Sequence, residues 1–494
     1  YADYDGIIGW NFSQGVESFW SDASRRQKIV GYSDVSRHKF ADFLQTSGWT
    51  LSDVNAAAQT TYASWDEVQI PQPIFNGELD LSPLWLAFEA YKQQRPTAYF
   101  TELLSWIRSF DADKEITIYG GMGAGDMLAY LSPFEANQVN LGFGGGGSAV
   151  AAMLQSLAMQ THVSIHGEPA GVPPRLADVN TTVFQKLAYG NREAGFHIMW
   201  GRFFSPSQTE TIAAVSDLNE MLLKLPVAMG SPENCGTAIG LGMQSIINHS
   251  RSMMWIDWGN LDTYRFSSML NCVVGQSAQV GFVTDHSTLD QLTAWPALIW
   301  QESPILSDEA AHRLNSYVRQ GGKLVVQGEQ TGSLNAQGQP TTQLQDLLGI
   351  SADGVVHTIG NGQAQWLQQP ITWSSWKSRI ENELAWLALQ QPVIAFPTPS
   401  TRVAMRKDDN AETRWILLFG KTWSGGNPSA AQLSASPESV LLQCPTLPQS
   451  MSWTVVDILS ETIIGTYSSA ELAAGISVNL SPAQLRIFSL GPVQ

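Results

Sequence analysis

Residues 6–17, GIIGWNFSQGVE, carry the pattern on which the fold assignment rests. The apolar residues Ile7 and Ile8 run into Trp10, and small polar residues with one carboxylate, Glu17, come next. A buried strand that delivers polar groups into a site at its carboxyl end has this pattern. The stretch therefore predicts a parallel strand with functional groups just beyond it.

Four more short apolar stretches within the first 232 residues have the same character, and helical stretches separate them. They are EITIYGG (115–121), NQVNLGF (137–143), HVSIHGE (162–168) and FHIMWGRFF (196–204). Strands that alternate with helices indicate a parallel sheet, either an open doubly wound sheet or part of a (β/α)8 barrel. Polar or glycine-rich residues follow all five strands, which favours the barrel, because its strand ends converge on one mouth. Residues 83–110 are helical at both ends, and we expect Pro96 to interrupt them.

The pattern changes twice in the rest of the chain. Apolar strands separated by helices predict a compact second α/β domain, whose clearest helix follows Ser307 as N-cap and ends at Gly321. Beyond it, short strands broken by Gly, Asn, Pro and Ser predict a small antiparallel β-sandwich. The expected domains are 1–232, 233–352 and 353–494.

Composition excludes several classes of function. The net charge is -17 with only 27 Lys and Arg, and such a field repels nucleic acid and anionic membrane surfaces. No apolar run of about 20 residues is present, so we expect no transmembrane helix. Eight scattered His residues without HExxH spacing indicate no metal site, and no cofactor is expected. The 18 Trp residues suit either large cores or the apolar faces of sugar rings.

Glu168 is the strongest candidate for catalysis. It ends an apolar strand between Gly167 and Pro169, where a carboxylate can act as nucleophile or proton carrier, or can bind backbone amides of its own loop. Glycoside hydrolysis usually needs a second carboxylate on the other side of the anomeric carbon. The options for that second group are Glu17, Asp22, Asp126 and Glu193. Asp126 follows GGMGAG, where it binds substrate or stabilises a turn.

Several stretches together resemble glycoside hydrolase family 42, the β-galactosidases of the large retaining clan. They are GYSDVSRHKFADFLQ (31–45), YASWDEVQIPQP (62–73), PLWLAFEAY (83–91), HGEPAGV (166–172), FHIMWGRF (196–203) and ILSDEAAHRLNSYVRQGGKLVV (305–326). The resemblance implies the C-terminal portion of a TIM barrel (strands 4–8), a flavodoxin- or amidotransferase-like α/β domain and a small β-sandwich. It also implies a homo-oligomer, since the middle domain of the family carries much of a trimer contact.

The resemblance assigns roles to individual residues. Glu168 takes the place of the nucleophile, and Trp200 that of a Trp under the sugar. The expected substrate-binding set is Trp10, Asn11, Trp20, Asp126, His166 and Trp200. Strand four of the family ends in Asn-Glu, the Glu being the acid/base. Here an ungapped match gives Gln14-Gly15, whereas a two-residue insertion gives Val16-Glu17, so Glu17 as acid/base depends on the alignment.

Three hypotheses of function follow. The first is a retaining glycoside hydrolase acting on β-galactosides or galactose-containing polysaccharide, including agar- or carrageenan-type polymers. The second is a non-catalytic carbohydrate-binding or assembly protein on a degenerate glycosidase scaffold, and the third an unrelated α/β transferase. Since a barrel cannot close with five strands, we expect strands 1–3 to come from a second polypeptide or to have been cleaved or omitted. The chain has no initiator Met and no leader, so a processed product or a fragment is expected, and a secreted or periplasmic location is favoured over others.

Overall fold

The structure is a computed structural model, and it describes a defined part of the chain. The described residues are 9–13, 33–72, 82–121, 136–140, 184, 187–188, 216, 220–221, 223–225, 229–245, 280–369, 379, 382–396, 401–408, 412–420, 435–482 and 484–493. Among the helices in these ranges, none combines the length and the hydropathy needed to cross a bilayer.

In the part of the chain that the structure describes, the first sheet has three parallel strands in chain order. They are β1 (Gly9–Ser13), β2 (Glu115–Gly121) and β3 (Ala136–Asn140). Trp10 pairs with Ile116, and Thr117 pairs with Ala136. The strands predicted from GIIGWNF and EITIYGG are therefore present, and the third begins one residue before its predicted start. Neighbouring parallel strands that follow each other in the chain are the arrangement of consecutive βα units.

Between β1 and β2, the described residues form three α-helices. They are α1 (Asp34–Thr46), α2 (Leu51–Ala58) and α3 (Pro83–Arg108). The first two begin at side-chain caps, Ser33 and Thr50, whose oxygens accept a backbone N–H of the first turn. Phe40 of α1 and Val54 of α2 pack with Phe88 in one buried cluster, so both helices cover the first half of α3.

The expected interruption at Pro96 is wrong, because α3 is a single helix of 26 residues. A proline inside a helix removes one backbone hydrogen bond and bends the helix, but it need not end it. Buried apolar residues lie on both sides of the proline, Phe88 and Tyr91 before it and Phe100 and Leu104 after it. Burial of both segments offsets the cost of that single lost bond.

Among the described residues, the second sheet has six strands, and three α-helices lie between them along the chain. The elements are β5 (Thr237–Leu241), β6 (Gly281–Thr284), α4 (Leu289–Thr293), β7 (Ala297–Trp300), α5 (Asp308–Arg319), β8 (Lys323–Gln327), α6 (Gln343–Leu348), β9 (Val356–Ile359) and β10 (Gly362–Leu367), numbered after a short strand β4 (Ser231–Pro232). The order is β6-β5-β7-β8-β10-β9, and all pairs except β9–β10 are parallel. Counting the parallel strands along the chain gives 2-1-3-4-5, the order of flavodoxin-like sheets.

Two features of this sheet compare directly with the sequence. The helix expected after Ser307 is α5, and the Ser307 Oγ accepts the N–H of Ala310 at 3.1 Å. The sequence predicts that β10, in contrast, belongs to the C-terminal sandwich, but β10 pairs with β8. An alternating apolar hairpin has the same local pattern at the edge of either kind of sheet, so its sequence does not identify its partner.

The C-terminal region forms two antiparallel sheets that face each other. Its further elements are β11 (Ile394–Phe396), β12 (Arg402–Lys407), β13 (Arg414–Phe419), β14 (Glu438–Gln443), β15 (Ser452–Asp457), β16 (Thr462–Ser468), α7 (Ser469–Ala474), β17 (Ile476–Leu480) and β18 (Leu485–Pro492). The six-stranded sheet has the order β16-β15-β18-β13-β12-β4, and the three-stranded sheet the order β11-β14-β17. A buried core that includes Val403, Leu442 and Trp453 lies between them.

The six-stranded sheet of the C-terminal region is buried on both faces in its middle. Along β13, Ile416 and Leu418 belong to the core between the sheets, whereas Leu417 and Phe419 pack with Phe184 on the opposite face. A strand buried on both faces needs a continuous apolar run, and this explains the sequence WILLF. The C-terminal region thus packs against a part of the chain that the sequence places in the barrel. Sheets alone do not fix domain limits, so the predicted boundaries stay predictions.

Candidate functional site

The carboxyl ends of β1, β2 and β3 lie side by side. Ser13, the last residue of β1, pairs with Tyr119, and Gly121, the last residue of β2, pairs with Asn140, the last residue of β3. In parallel α/β folds, ligands bind at the carboxyl edge of the strands, because the loops that follow the strands meet there. This edge is therefore the candidate site, and it is the one that the sequence predicts.

Two predicted contacts, Trp10 and Asn11, lie within β1. Successive positions of a strand alternate between the two faces of its sheet, so these two residues occupy opposite faces. Position 10 shares its face with Ile116, which is buried, and position 11 shares its face with Thr117. One face of a barrel strand leads to the interior and the other to the surrounding helices. Trp10 and Asn11 are therefore competing predictions for a contact with substrate.

The remaining predicted site residues lie outside the described residues. This set comprises Glu17, Trp20, Asp126, His166, Glu168 and Trp200. Along the sequence, Glu17 comes four residues after the end of β1 and Asp126 five residues after the end of β2. These positions agree with loops that start at the candidate edge, but the roles of all six residues stay predictions.

The register identifies two positions that sequence reasoning missed. Tyr119 pairs with the last residue of β1, and Asn140 ends β3 at the same edge. The sequence carries a signal for such positions, namely a polar residue in the last positions of an apolar strand. Tyr119, which precedes Gly120-Gly121, is an example. Both positions belong to the edge at which substrate groups would be bound.

Thiol and metal chemistry find little support in the part of the chain that the structure describes. Cys235 and Cys444 are both buried and unpaired with another cysteine. Burial raises the pKa of each thiol, and the negative charge of Glu233 raises the pKa of Cys444 further. Such thiols stay protonated and are poor nucleophiles. Within the described ranges, no group of three or more His, Cys, Asp or Glu residues is arranged to hold a metal ion.

The second sheet also has a position where flavodoxin-like folds bind ligands, between the carboxyl ends of β5 and β7. Here the loop after β7 fills that position. A Cβ atom added to Gly242 would come within 2.5 Å of the Ser303 Oγ, and the Ser245 Oγ accepts the Ile305 N–H at 2.9 Å and donates to the Ile305 carbonyl at 3.0 Å. The described residues therefore close this crevice with their own loop, which leaves the first sheet as the candidate.

Comparison with known proteins gives a result for structure but not for sequence. The sequence matches no protein-family model and no curated protein. Among solved structures, a β-galactosidase of Rahnella sp. R3 superposes with a TM-score of 0.71 at 15% identity, covering 100% of this chain and 79% of the other. A β-galactosidase of Bacillus circulans sp. alkalophilus gives 0.73 at 12% identity, covering 99% and 80%.

An exo-carrageenase of glycoside hydrolase family 42 from Bacteroides ovatus also superposes, with a TM-score of 0.62 at 11% identity, covering 93% of this chain and 63% of that protein. At these identities the similarity establishes the fold. The chain has a mixed α/β fold like that of the family 42 β-galactosidases, a TIM barrel with additional domains.

Proposed function

We propose that this chain is a retaining glycoside hydrolase that acts on β-galactosides or on galactose-containing polysaccharide. The observation that supports the proposal is the fold, since glycosidase structures superpose on 99–100% of the chain. The parallel strands β1 to β3 agree with it, because their carboxyl ends lie at one edge and polar residues end two of them.

The mechanism that we propose is a double displacement. Glu168 attacks the anomeric carbon, the leaving oxygen takes a proton from an acid/base residue, and water then hydrolyses the glycosyl–enzyme. In retaining enzymes the two carboxyl groups lie about 5 Å apart. Glu17 is the proposed acid/base, and either Trp10 or Asn11 contacts the sugar from β1. Trp20, Asp126, His166 and Trp200 complete the proposed binding set.

The test is turnover of an aryl β-galactoside by the wild type and three carboxylate variants. We expect Glu168→Gln to lower kcat about a thousandfold or more, and Glu309→Gln, at an exposed carboxylate on α5, to leave it nearly unchanged. Glu17→Gln should lower kcat for substrates with poor leaving groups, and azide should restore turnover of activated substrates. NMR of the first product should show retention of configuration.

The possible outcomes test the acid/base assignment, the nucleophile assignment and the hydrolase proposal separately. Full activity of Glu17→Gln would show that the acid/base assignment is wrong while leaving the nucleophile in place. Full activity of Glu168→Gln would show that the assignment of Glu168 as nucleophile is wrong. A wild type without turnover on any galactoside would contradict the hydrolase proposal as a whole.

A non-catalytic carbohydrate-binding protein is the second candidate function. The observation that favours it is the ungapped match of the first strand, which puts Gln14-Gly15 where the family has Asn-Glu. This candidate predicts binding of galactan without turnover, and it predicts that binding is unaffected by Glu168→Gln.

A further inference from the structure

The second half of α3 presents three aromatic side chains to solvent. Trp106 is 64% exposed, Tyr99 51% and Phe110, just past the end of the helix, 45%. We call these three residues the aromatic stripe. A neighbouring face of the same segment is buried through Phe100, Leu104 and Ile107. Large apolar side chains gathered on one exposed face, rather than scattered singly, indicate a surface that binds something.

The helical spacing puts the aromatic stripe on one line. Residues seven and eleven positions apart return to nearly the same face of an α-helix, so Tyr99, Trp106 and Phe110 share a face. Tyr99 and Trp106 are separated by about 10 Å along the helix axis, a length that two consecutive sugar residues can span. The Trp106 and Phe110 rings meet edge to face, with centroids 5.1 Å apart and planes at 73°.

Backbone contacts hold the end of the aromatic stripe in place. The Phe110 N–H donates to the Ile107 carbonyl at 3.0 Å, and the Ser109 Oγ donates to the Trp106 carbonyl at 2.6 Å. The Arg108 guanidinium donates to the Lys114 carbonyl at 2.7 Å and so ties the following loop to the helix. A surface ordered before binding pays a smaller entropic cost when a ligand arrives.

One polar side chain on this face favours a ligand with hydroxyl groups. Glu102 is exposed and lies one helical turn from both Tyr99 and Trp106. A carboxylate accepts hydrogen bonds from sugar hydroxyls, and the indole face suits the apolar face of a pyranose ring. The net charge of -17 opposes polyanionic ligands.

We propose that the aromatic stripe is a non-catalytic binding surface for an uncharged, galactose-containing polysaccharide chain. The choice of galactose rests on the proposed function, whereas the stacking and hydrogen-bonding argument does not. The surface is separate from the candidate site, because α3 leads into the amino end of β2 at Glu115 and the site lies at its carboxyl end. Seven residues of strand place these two ends about 20 Å apart. A bound polymer would thus be held near the enzyme without occupying the site.

The test compares retention on polymer with turnover of a small substrate. Wild type, a Trp106→Ala/Phe110→Ala double variant and Ile463→Ala are run in native gels containing soluble, neutral β-1,4-galactan and incubated with agarose beads. Ile463, on β16 and 68% exposed, is the matched control. We expect the double variant to bind galactan about tenfold more weakly or worse. Ile463→Ala should bind like the wild type, and all three should process an aryl β-galactoside alike.

The outcomes distinguish this inference from the proposed function. Equal retention of the wild type and the double variant would overturn the inference, as would a wild type that binds neither polymer. A wild type that sediments as an assembly and dissociates on Trp106→Ala would also overturn it, because the aromatic stripe would then be an interface between copies. Loss of galactan binding in the double variant, with no turnover by any protein, would support the binding surface and contradict only the hydrolase proposal.

Discussion

Buried Asp457 and partly buried Arg486 form an ion pair between β15 and β18 of the C-terminal six-stranded sheet. The Arg486 guanidinium donates two hydrogen bonds to the Asp457 carboxylate, at 2.7 and 2.6 Å, and lies over the Phe488 ring. The other carboxylate oxygen accepts the N–H of Leu459 at 3.1 Å. Asp457 is only 3% exposed, so removing its charge leaves a poorly solvated cation behind.

We therefore expect Asp457→Asn to lower the free energy of unfolding by about 3 kcal/mol. Glu461→Gln is the matched control, because Glu461 pairs with Lys224 in an exposed ion pair at 3.2 Å, which contributes less than about 1 kcal/mol. Urea titrations of both variants measure the difference. Equal effects of the two substitutions would show that burial does not decide the strength of these pairs.

Glu471 makes the stability of α7 depend on pH. The Ser468 N–H and hydroxyl donate to its carboxylate at 2.7 and 2.8 Å, and these bonds lower the pKa of Glu471. A lowered folded-state pKa means that the carboxylate stabilises the fold above the ordinary glutamate pKa and that the contribution is lost as pH falls through the lowered value.

The advantage of the wild type over Glu471→Ala in thermal unfolding should thus shrink between about pH 7 and about pH 3. Glu471→Gln is the control, because an uncharged amide can close the same motif, as Gln291 does at α4, where it accepts the Thr288 N–H at 2.8 Å. A constant difference between wild type and Ala at all pH values would assign the effect to helix propensity alone.

At the scale of elements, glycines provide the space that aromatic rings need in the second sheet. A Cβ atom added to Gly240 of β5 would come within 2.1 Å of the Trp300 ring, and one added to Gly281 within 2.0 Å of the Trp295 ring. Gly240 and Trp300 are register partners on neighbouring strands, so the ring lies flat across the glycine. The strand pattern predicts both strands, but only the register identifies this pairing.

Gly240→Ala should destabilise the protein by about 2 kcal/mol, because the added methyl group overpacks a buried strand pair. Gly491→Ala on β18 is the matched control, since a Cβ there meets no atom within 4 Å. Adding Trp300→Leu to Gly240→Ala should recover part of the loss in urea unfolding, as expected for two coupled residues. If the double variant lost as much stability as the two single variants together, the contact between residues 240 and 300 would not be the cause of the destabilisation.

Elements with local signals could be predicted, and elements defined by distant partners could not. The helix α5 followed from Ser307 and Gly321, which lie at its own ends, and β1 followed from its own change from apolar to polar residues. The placement of β10 depends on β8, about forty residues earlier in the chain, and the local pattern of β10 predicts the wrong sheet for it. The same reason applies to the site, because the choice between Trp10 and Asn11 depends on which face of β1 is the interior.

At the scale of the whole molecule, Arg406 connects the C-terminal sheet to earlier parts of the chain. The buried guanidinium donates to the Leu187 carbonyl at 2.7 Å and to the Gly230 carbonyl. Arg406→Met removes both contacts, and we expect a loss of about 2 kcal/mol and separation of the calorimetric unfolding peak into two. Lys407→Met, on the less buried neighbour, should change little. A single unshifted peak for Arg406→Met would show that the apolar contacts of Phe184 and Phe419 connect these regions without it.

The charge of the whole chain makes one more prediction, which separates neutral from sulfated galactans as substrates. The 44 acidic and 27 basic residues leave a net charge of -17, and this field lowers the local concentration of any anionic ligand. Salt screens the field, since the Debye length falls from about 30 Å at 10 mM to about 8 Å at 150 mM. The KM for a sulfated galactoside should therefore fall over this range, while the KM for its unsulfated counterpart stays constant. Initial rates on the matched pair measure the difference, and a KM for the sulfated compound that rises with salt would instead reveal a local cationic site that overcomes the field of the whole chain.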